Sequence, residues 1–314
     1  MAYYNGTAGP MTDVDYADMI DRRIQEVVAA KAKVATEGEK YFDRMNTDLR
    51  SYKVADVTNI LDLPHVNEDT NNIPMMAPPA GLNKTFTTVQ YRAGIWITRQ
   101  MKENDLHRIV GALITGLPAS VAQRREYLCA AVFNDAFTGT TYTGADGVAM
   151  FNDSHPHRDS GATTATWDNL ATAGLPSQSA LTAMWQLGQA FTNDKGFPAP
   201  SNISNFVTGP TQWPVLKRLL DSSKEAENAL NAENIWKGMT LDPPYHYLTS
   251  TTAWMGRGDA DAQFKGLVRV VKEPETYLPM SKSDNPDIIM GKRVRFEETT
   301  GLLSAKAWVG NAGA

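Results

Sequence analysis

The chain has 314 residues, enough for about two domains, and is 42% hydrophobic and 21% charged, with 7 Trp, 11 Tyr and 10 Phe to fill a core. No run approaches the ~18 apolar residues of a membrane span, Met1-Ala2-Tyr3-Tyr4-Asn5-Gly6 lacks the basic and apolar regions of a signal peptide, and one cysteine, Cys129, excludes an internal disulfide framework and a four-cysteine zinc site. A net charge of −5 argues against a specific grip on nucleic-acid phosphates; the nearest basic cluster, Lys292-Arg293-Val294-Arg295, alternates as a strand does and fits a solvated sheet face.

The first expected element is a long helix from about Asp13 to Arg44. Ile20, Ile24, Val27, Val34, Tyr41 and Met45 recur at spacings of three and four, with Lys31 and Gly38 interrupting the seam. Two interpretations stay open: a helix on the chain's own core, or an arm docked on a neighbouring subunit. Two extended stretches follow, Arg50 to Ile60 and Lys84 to Thr98. In the second, Val89, Tyr91, Ala93, Ile95 and Ile97 share one face, and Thr88, Gln90 and Arg92 the other. Between them, Pro64 to Asn83 holds Pro74, Pro78, Pro79, Gly81 and several Asn. A structureless loop of that length is uncommon inside a compact domain. A hairpin with a projecting tip is the better account, and a lone two-stranded ribbon is marginal in water unless it lies on something else.

Lys102 to Phe137 reads as helical, divided by Pro118, so the main helix is placed from Pro118 to Phe137, roughly 30 Å long. Val121, Leu128 and Val132 form its apolar row, beside Cys129, Phe133 and Phe137. Thr140 to Pro176 is rich in turn formers. Ser177 or Ser179 caps a helix to about Phe191, with Leu181, Met184, Leu187 and Phe191 inward. Ile203 to Thr208 is a buried strand, and Pro210 to Leu220 starts a helix with Trp213, Leu216 and Leu220 on one side. Tyr245 to Met255, Leu267 to Val271, Asp287 to Glu297 and Leu302 to Val309 complete the expected strands. No regular βαβ repeat is visible, so the class is α+β.

The most tempting chemistry lies in Asp153-Ser154-His155-Pro156-His157-Arg158-Asp159, where two His with flanking carboxylates fit a divalent metal. A third ligand is missing from the pattern: His65, His107, His246 and Cys129 have no motif spacing, and a polar loop fixed by Pro156 is the plainer interpretation. Asp259 and Asp261 lack calcium-loop spacing and suit a turn. Cys129 falls on the apolar side of its helix, as a packing residue does. Asn5-Gly6-Thr7 matches a glycosylation acceptor but has no secretion signal beside it. Phosphate loops, zincin pairs and nucleophile elbows are not found. The sequence assigns no catalytic residue, no cofactor and no metal ligand.

Three segments, in order, resemble the major head subunits of tailed phages, particularly the Mu-like prophage type. The first runs from Tyr91 to Asp105, with Ile97-Thr98-Arg99 at its centre. The second is Val132-Phe133-Asn134-Asp135-Ala136-Phe137, then Ala145-Asp146-Gly147-Val148-Ala149-Met150-Phe151 through Ser154-His155-Pro156, with Met150 where Leu is usual. The third is Ser179-Ala180-Leu181, Asp194-Lys195-Gly196-Phe197-Pro198 and the strand–proline–helix from Phe206 to Leu220. The resemblance implies the α+β Hong Kong 97-type capsid fold: an N-terminal arm at 1–46, an extended loop at 47–101, a peripheral domain with its spine helix at 102–176, an axial domain at 177–285, and return strands of the peripheral domain at 286–314.

The resemblance further implies self-assembly into pentamers and hexamers of an icosahedral head in the virion, built in the bacterial cytoplasm around double-stranded DNA held without sequence-specific binding. It implies a scaffold, a portal and a decoration protein as partners, and no membrane. The short N-terminal region leads us to expect a separate scaffold, and the retained Met1 an uncleaved N-terminus. Competing expectations are an encapsulin-like protein compartment and a metal-dependent hydrolase built on His155 and His157.

Overall fold

A computed structural model of the chain describes residues 37–57, 80–100, 107–157, 166–193, 196–224, 232–259, 266–280 and 288–313. The elements, in order, are a 3-10 turn at Glu39–Tyr41, β1 (Asp43–Asn46), β2 (Ser51–Val57), β3 (Ala80–Thr87), β4 (Val89–Thr98), α1 (His107–Asn134), β5 (His155–Pro156), β6 (Thr166–Trp167), β7 (Leu170–Ala171), α2 (Gln178–Gln189), β8 (Ile203–Thr208), α3 (Trp213–Asp221), β9 (Thr240–Leu241), β10 (Trp254–Gly258), β11 (Leu267–Met280), β12 (Ile288–Leu302) and β13 (Trp308–Asn311).

Two sheets organise them. The first has the order β1-β11-β12-β4, and the second β7-β13-β10-β8-β9. In the first, β11 and β12 form a long antiparallel beam from Leu267↔Leu302 to Met280↔Gly291, with β1 parallel to β11 and β4 antiparallel to β12. The N-terminal half of α1 lies on one face of this beam, where Leu117 and Val121 meet Val294 and Phe296, flanked by Tyr91, Ile95 and Tyr277. Its C-terminal end, from Cys129 to Phe133, and Ala136 just beyond it enter the main core with Ile203, Phe206, Trp254 and Trp308 of the second sheet. A single helix therefore ties the two sheets together. Tyr41, Phe133 and Trp308 meet edge to face at 5.5–5.7 Å, a geometry that adds to the stabilisation from burial. Opposite them Gly310 lies so close to Phe151 that a Cβ would stand 2.2 Å from the ring, so this register of β13 admits only glycine.

Several expectations are corrected. Residues 13–36 of the expected first helix lie outside the described residues, and the remainder, Gly38 to Asn46, is a 3-10 turn and a strand. There Tyr41 and Phe42, neighbours in sequence, both enter the core, and β1 gains a ladder with Val268–Val271. Pro118 does not open the helix; α1 begins at His107 with Pro118 inside. The missing N–H removes one ladder bond, and the burial of Leu117 and Val121 against β12 offsets it. The expected strand from Lys84 to Thr98 changes partner at Thr88, with β3 paired to β2 and β4 to β12. The stretch 47–101 is thus not one free ribbon, because its last strand belongs to the chain's own long sheet.

Of Tyr245 to Met255, only Trp254 and Met255 lie in a strand. The expected strand from Leu302 to Val309 is interrupted from 303 to 307. β12 and β13 enter different sheets, so the last residues do not return together to one sheet. The Ser177 cap, which accepts from the Ala180 N–H at 3.2 Å, and the Ile203–Thr208 strand follow the expectation.

Trp308 is fully buried at the junction of α1, the 3-10 turn and β13. Trp308→Ala is expected to destabilise the subunit by about 3–5 kcal/mol in urea unfolding. A change within about 1 kcal/mol would contradict the core described here.

Candidate functional site: the turn at 37–46 and the hairpin stem

The residues that enter the structure at 37–46 are fixed by four separate elements. Glu37 accepts from the His246 backbone N–H (2.9 Å) and its Oε1 lies 2.8 Å from His246 Nδ1. The Gly38 N–H donates to Glu126 of α1 at 2.9 Å. Tyr41 donates its hydroxyl proton to Asp242 (2.5 Å), which also pairs with Lys40 at 3.0 Å. Burial, then the Asp242 carboxylate, pushes the Tyr41 hydroxyl far above its ordinary pKa, so it remains a donor.

Beneath this turn lies a charged cluster. Glu298 of β12 is fully buried and accepts from Arg269 Nε of β11 at 3.3 Å, while Arg269 also reaches Glu39 at 2.5 Å. Arg125 of α1 approaches Glu298 at 3.4 Å and pairs with Glu275 of β11. Two guanidiniums and three carboxylates thus join the turn, the helix and both strands of the beam. A buried charge is tolerated only when its partners stay in place. The cluster locks the turn at 39–41 against the helix and the sheet.

The β2–β3 hairpin is rooted just as firmly. Phe86 packs on Val268 and Val270, with Met45, Tyr52, Val54 and Leu303 around it. Gly301 allows this approach, since a Cβ there would lie 2.4 Å from the Phe86 ring. At the switch from β3 to β4, the Thr88 hydroxyl donates to Glu297 at 2.6 Å and its N–H to the Arg50 carbonyl at 2.9 Å. Against burial, the Thr88 bond and Lys272 hold the Glu297 carboxyl below its ordinary range. Lys84 of β3 donates to the carbonyl of Thr143, tying the stem to the loop after α1. That loop is itself gathered by Asp135, whose carboxylate accepts from the backbone N–H groups of Thr140, Thr141 and Tyr142 and from two threonine hydroxyls. Burial opposes the charge, but these donors together hold the Asp135 carboxyl well below the usual range.

The sequence candidates for chemistry land elsewhere. His155 is fully buried and stacked on Trp167 at 4.3 Å. Its Nδ1 lies 2.6 Å from Asp146 and its Nε2 3.0 Å from Asn169 Oδ1. Asn169 in turn donates to the carbonyls of Met150 and Trp308, so the histidine sits in a polar knot that fastens the 140–157 loop to β13. His157 turns away to Thr192 at 3.1 Å. Arg158, Asp159, Asp261 and His65 lie outside the described residues, as does the side chain of His107, and His246 is engaged by Glu37. Asp259 Oδ1 accepts from the Asn202 N–H at 2.8 Å, as a turn residue does. Cys129 is fully buried, and burial, then the nearby Glu126, pushes its thiol far up in pKa, away from the reactive thiolate. Among the described residues no three His, Cys, Asp or Glu side chains gather as a metal site, and no helix is long and apolar enough to cross a membrane.

Sequence reasoning missed the Glu39–Arg269–Glu298–Arg125 cluster. The signal available was a charge inside an apolar run, Arg269 within Leu267–Val271. Glu298→Ala would leave two guanidiniums short of a carboxylate in a buried place, and is expected to cost about 3–5 kcal/mol. Urea unfolding of the soluble subunit measures it, and a loss below about 1 kcal/mol would show the cluster to be dispensable.

Comparison with known proteins agrees with this architecture. The family described as phage capsid protein matches residues 83–309. The capsid structure of cyanophage P-SCSP1u superposes with a TM-score of 0.56 at 9% identity, covering 89% of this chain and 88% of that one. The procapsid of bacteriophage JBD30 gives 0.52 at 13% identity, covering 94% and 74%, and a chain of Microbacterium phage Oxtober96 gives 0.52 at 8%, covering 90% and 92%. No curated protein sequence matches. At such identities the likeness establishes the fold, which is the α+β Hong Kong 97-type capsid fold. With the family match spanning most of its length, the chain belongs to the phage capsid protein family.

Proposed function

We propose that the chain is the major head subunit of a tailed phage, assembling as pentamers and hexamers into an icosahedral shell around double-stranded DNA, with no chemistry on a small molecule. The observation that carries this is the pair of firmly rooted segments on one rigid body. The turn at 37–46 and the β2–β3 stem are both anchored in buried contacts. Such roots suit extensions that reach other copies of the subunit, since many weak contacts repeated by symmetry close a shell.

In this account residues 1–46 are the arm and the hairpin between Thr47 and Thr88 is the extended loop. α1 with the four-stranded sheet is the peripheral body, and the five-stranded sheet with α2 and α3 is the axial body. The scaffold, portal and decoration protein are partners on this proposal, with assembly in the host cytoplasm. The Mu-like affiliation rests on the segments around Tyr91–Asp105 and Ala145–Pro156.

Deleting Pro64–Leu82 tests the role of the extended loop. The variant is expected to stay soluble and folded by circular dichroism, and to form no closed shells by electron microscopy. Normal shells from this variant would overturn the role given to the loop.

A further inference from the structure

We propose that the buried pair His155–Asp146 is a proton-operated latch: the 140–157 loop stays fastened to β13, and the hairpin stem to that loop, only while the pair holds one proton more than a neutral imidazole and a carboxylate carry together. The hydrogen bonds of Asn169 set this requirement. Its side-chain nitrogen donates to the carbonyls of Met150 at 2.8 Å and Trp308 at 3.2 Å, and its Oδ1 accepts from the Asn152 backbone N–H at 2.9 Å. Turning the amide over would set oxygen against two carbonyls and nitrogen against an N–H, so the network allows one orientation. Oδ1 therefore faces His155 Nε2 at 3.0 Å as an acceptor, and Nε2 must carry hydrogen.

The other ring nitrogen then decides the proton count. With hydrogen on Nε2, a neutral imidazole has a bare lone pair on Nδ1. That lone pair would point at Asp146 Oδ2, 2.6 Å away, on a ring that is fully buried and stacked on Trp167. Two acceptors at that distance repel, and a buried polar atom left without a donor is costly. One further proton resolves the conflict, and the count is the same whether it rests on the imidazole or on the carboxyl. The second oxygen of Asp146 already accepts from the Val148 N–H at 3.3 Å.

The charged groups around the pair have their own engagements. Lys84 of β3 donates to the carbonyls of Thr143 and Gly144, at the start of the turn that Asp146 closes. Burial lowers the Lys84 pKa, and the Asp146 charge opposes that shift. Asp153, on the segment of His155 itself, accepts from Ser154, and Asp168, beside Trp167, from the Leu170 N–H. His157 lies against Thr192. The latch thus has two ends. Asn169 holds it to β13 through the Trp308 carbonyl, and the 143–148 turn holds it to the hairpin stem through Lys84. Loss of the proton sets Oδ2 and Nδ1 against each other and displaces the turn that gives Lys84 its acceptors.

The latch is independent of the shell-subunit proposal, because it is measured on the soluble full-length subunit. In the unfolded chain at about pH 8 the histidine is neutral and the aspartate ionised, so the folded subunit binds one proton more. Stability is then greatest below the ordinary imidazole range and falls as pH rises above it. The folding equilibrium constant from urea unfolding is expected to drop about tenfold between about pH 7 and about pH 8. Asp146→Asn removes the requirement, since its amide N–H donates to Nδ1 of a neutral ring, and this variant should fold and show no such drop. NMR spectra of isotope-labelled histidine and aspartate in the unmodified subunit at about pH 8 give the second readout: protons on both His155 nitrogens, or a protonated Asp146 carboxyl. Hydrogen exchange of the β2–β3 amides, corrected for its intrinsic pH effect, should quicken over the same step in the unmodified subunit alone, and unchanged exchange overturns the coupling to the stem. An equal pH dependence of stability in both proteins, or none in the unmodified one, overturns the latch. A His155 ring with one bare nitrogen beside an ionised Asp146 also overturns it, and that result stands even if the variant does not fold.

Discussion

Arg125 and Arg269 must have carboxylates, because a guanidinium out of water with no counter-charge costs more than a small domain can lose. Glu298, itself fully buried between them, supplies one, and Glu39 and Glu275 supply the others. Satisfying these charges brings the turn at 39–41, the helix α1 and the paired strands β11 and β12 to one place. That convergence sets the seat of α1 on the beam and the level at which β1 joins the sheet. A purely apolar contact would hold the same elements together but would tolerate sliding, whereas paired charges specify one register.

The rigid body so formed is suited to carry extensions. α1 is shared between two cores, so the long sheet and the five-stranded sheet cannot shift independently without exposing Phe133 or Val121. The hairpin root adds a second fixed point, where Phe86 fills the space left by Gly301 and Thr88 spans Arg50 and Glu297. For a shell subunit this division is physically sensible. Precision in the body sets the angles between neighbours, and the contacts made by the extensions stay individually weak and correctable during assembly. His155 belongs to this logic as a fastener, since it ties a glycine-rich loop to β13 through Asp146 and Asn169.

Much of the fold was legible where a local rule decides the outcome. The Ser177 cap, the Ile203–Thr208 strand and the long strands near the C-terminus follow from side-chain chemistry within a few residues of each element. The misses share a cause: a distant partner overrode the local pattern. Pro118 reads as a helix start, yet burial against β12 carries the helix through it. Lys84 to Thr98 reads as one strand, yet Glu297, 209 residues away, captures Thr88 and divides it. The helical spacing through Tyr41 and Met45 continues past the point where β1 finds β11. The charged cluster was invisible for the same reason, as Glu39 and Arg269 are 230 positions apart. At the paired histidines, where the spacing admitted a metal but a polar loop was the plainer interpretation, the neighbours Asp146, Asn169 and Thr192 give each ring a structural bond.

The central claim is that this rigid body exists to be joined to copies of itself. Cryo-electron microscopy of the purified full-length chain tests it most directly. The account predicts closed icosahedral particles, with each subunit's hairpin resolved against a neighbouring subunit. A population that remains monomeric at every concentration, its hairpin folded onto its own body, would contradict it.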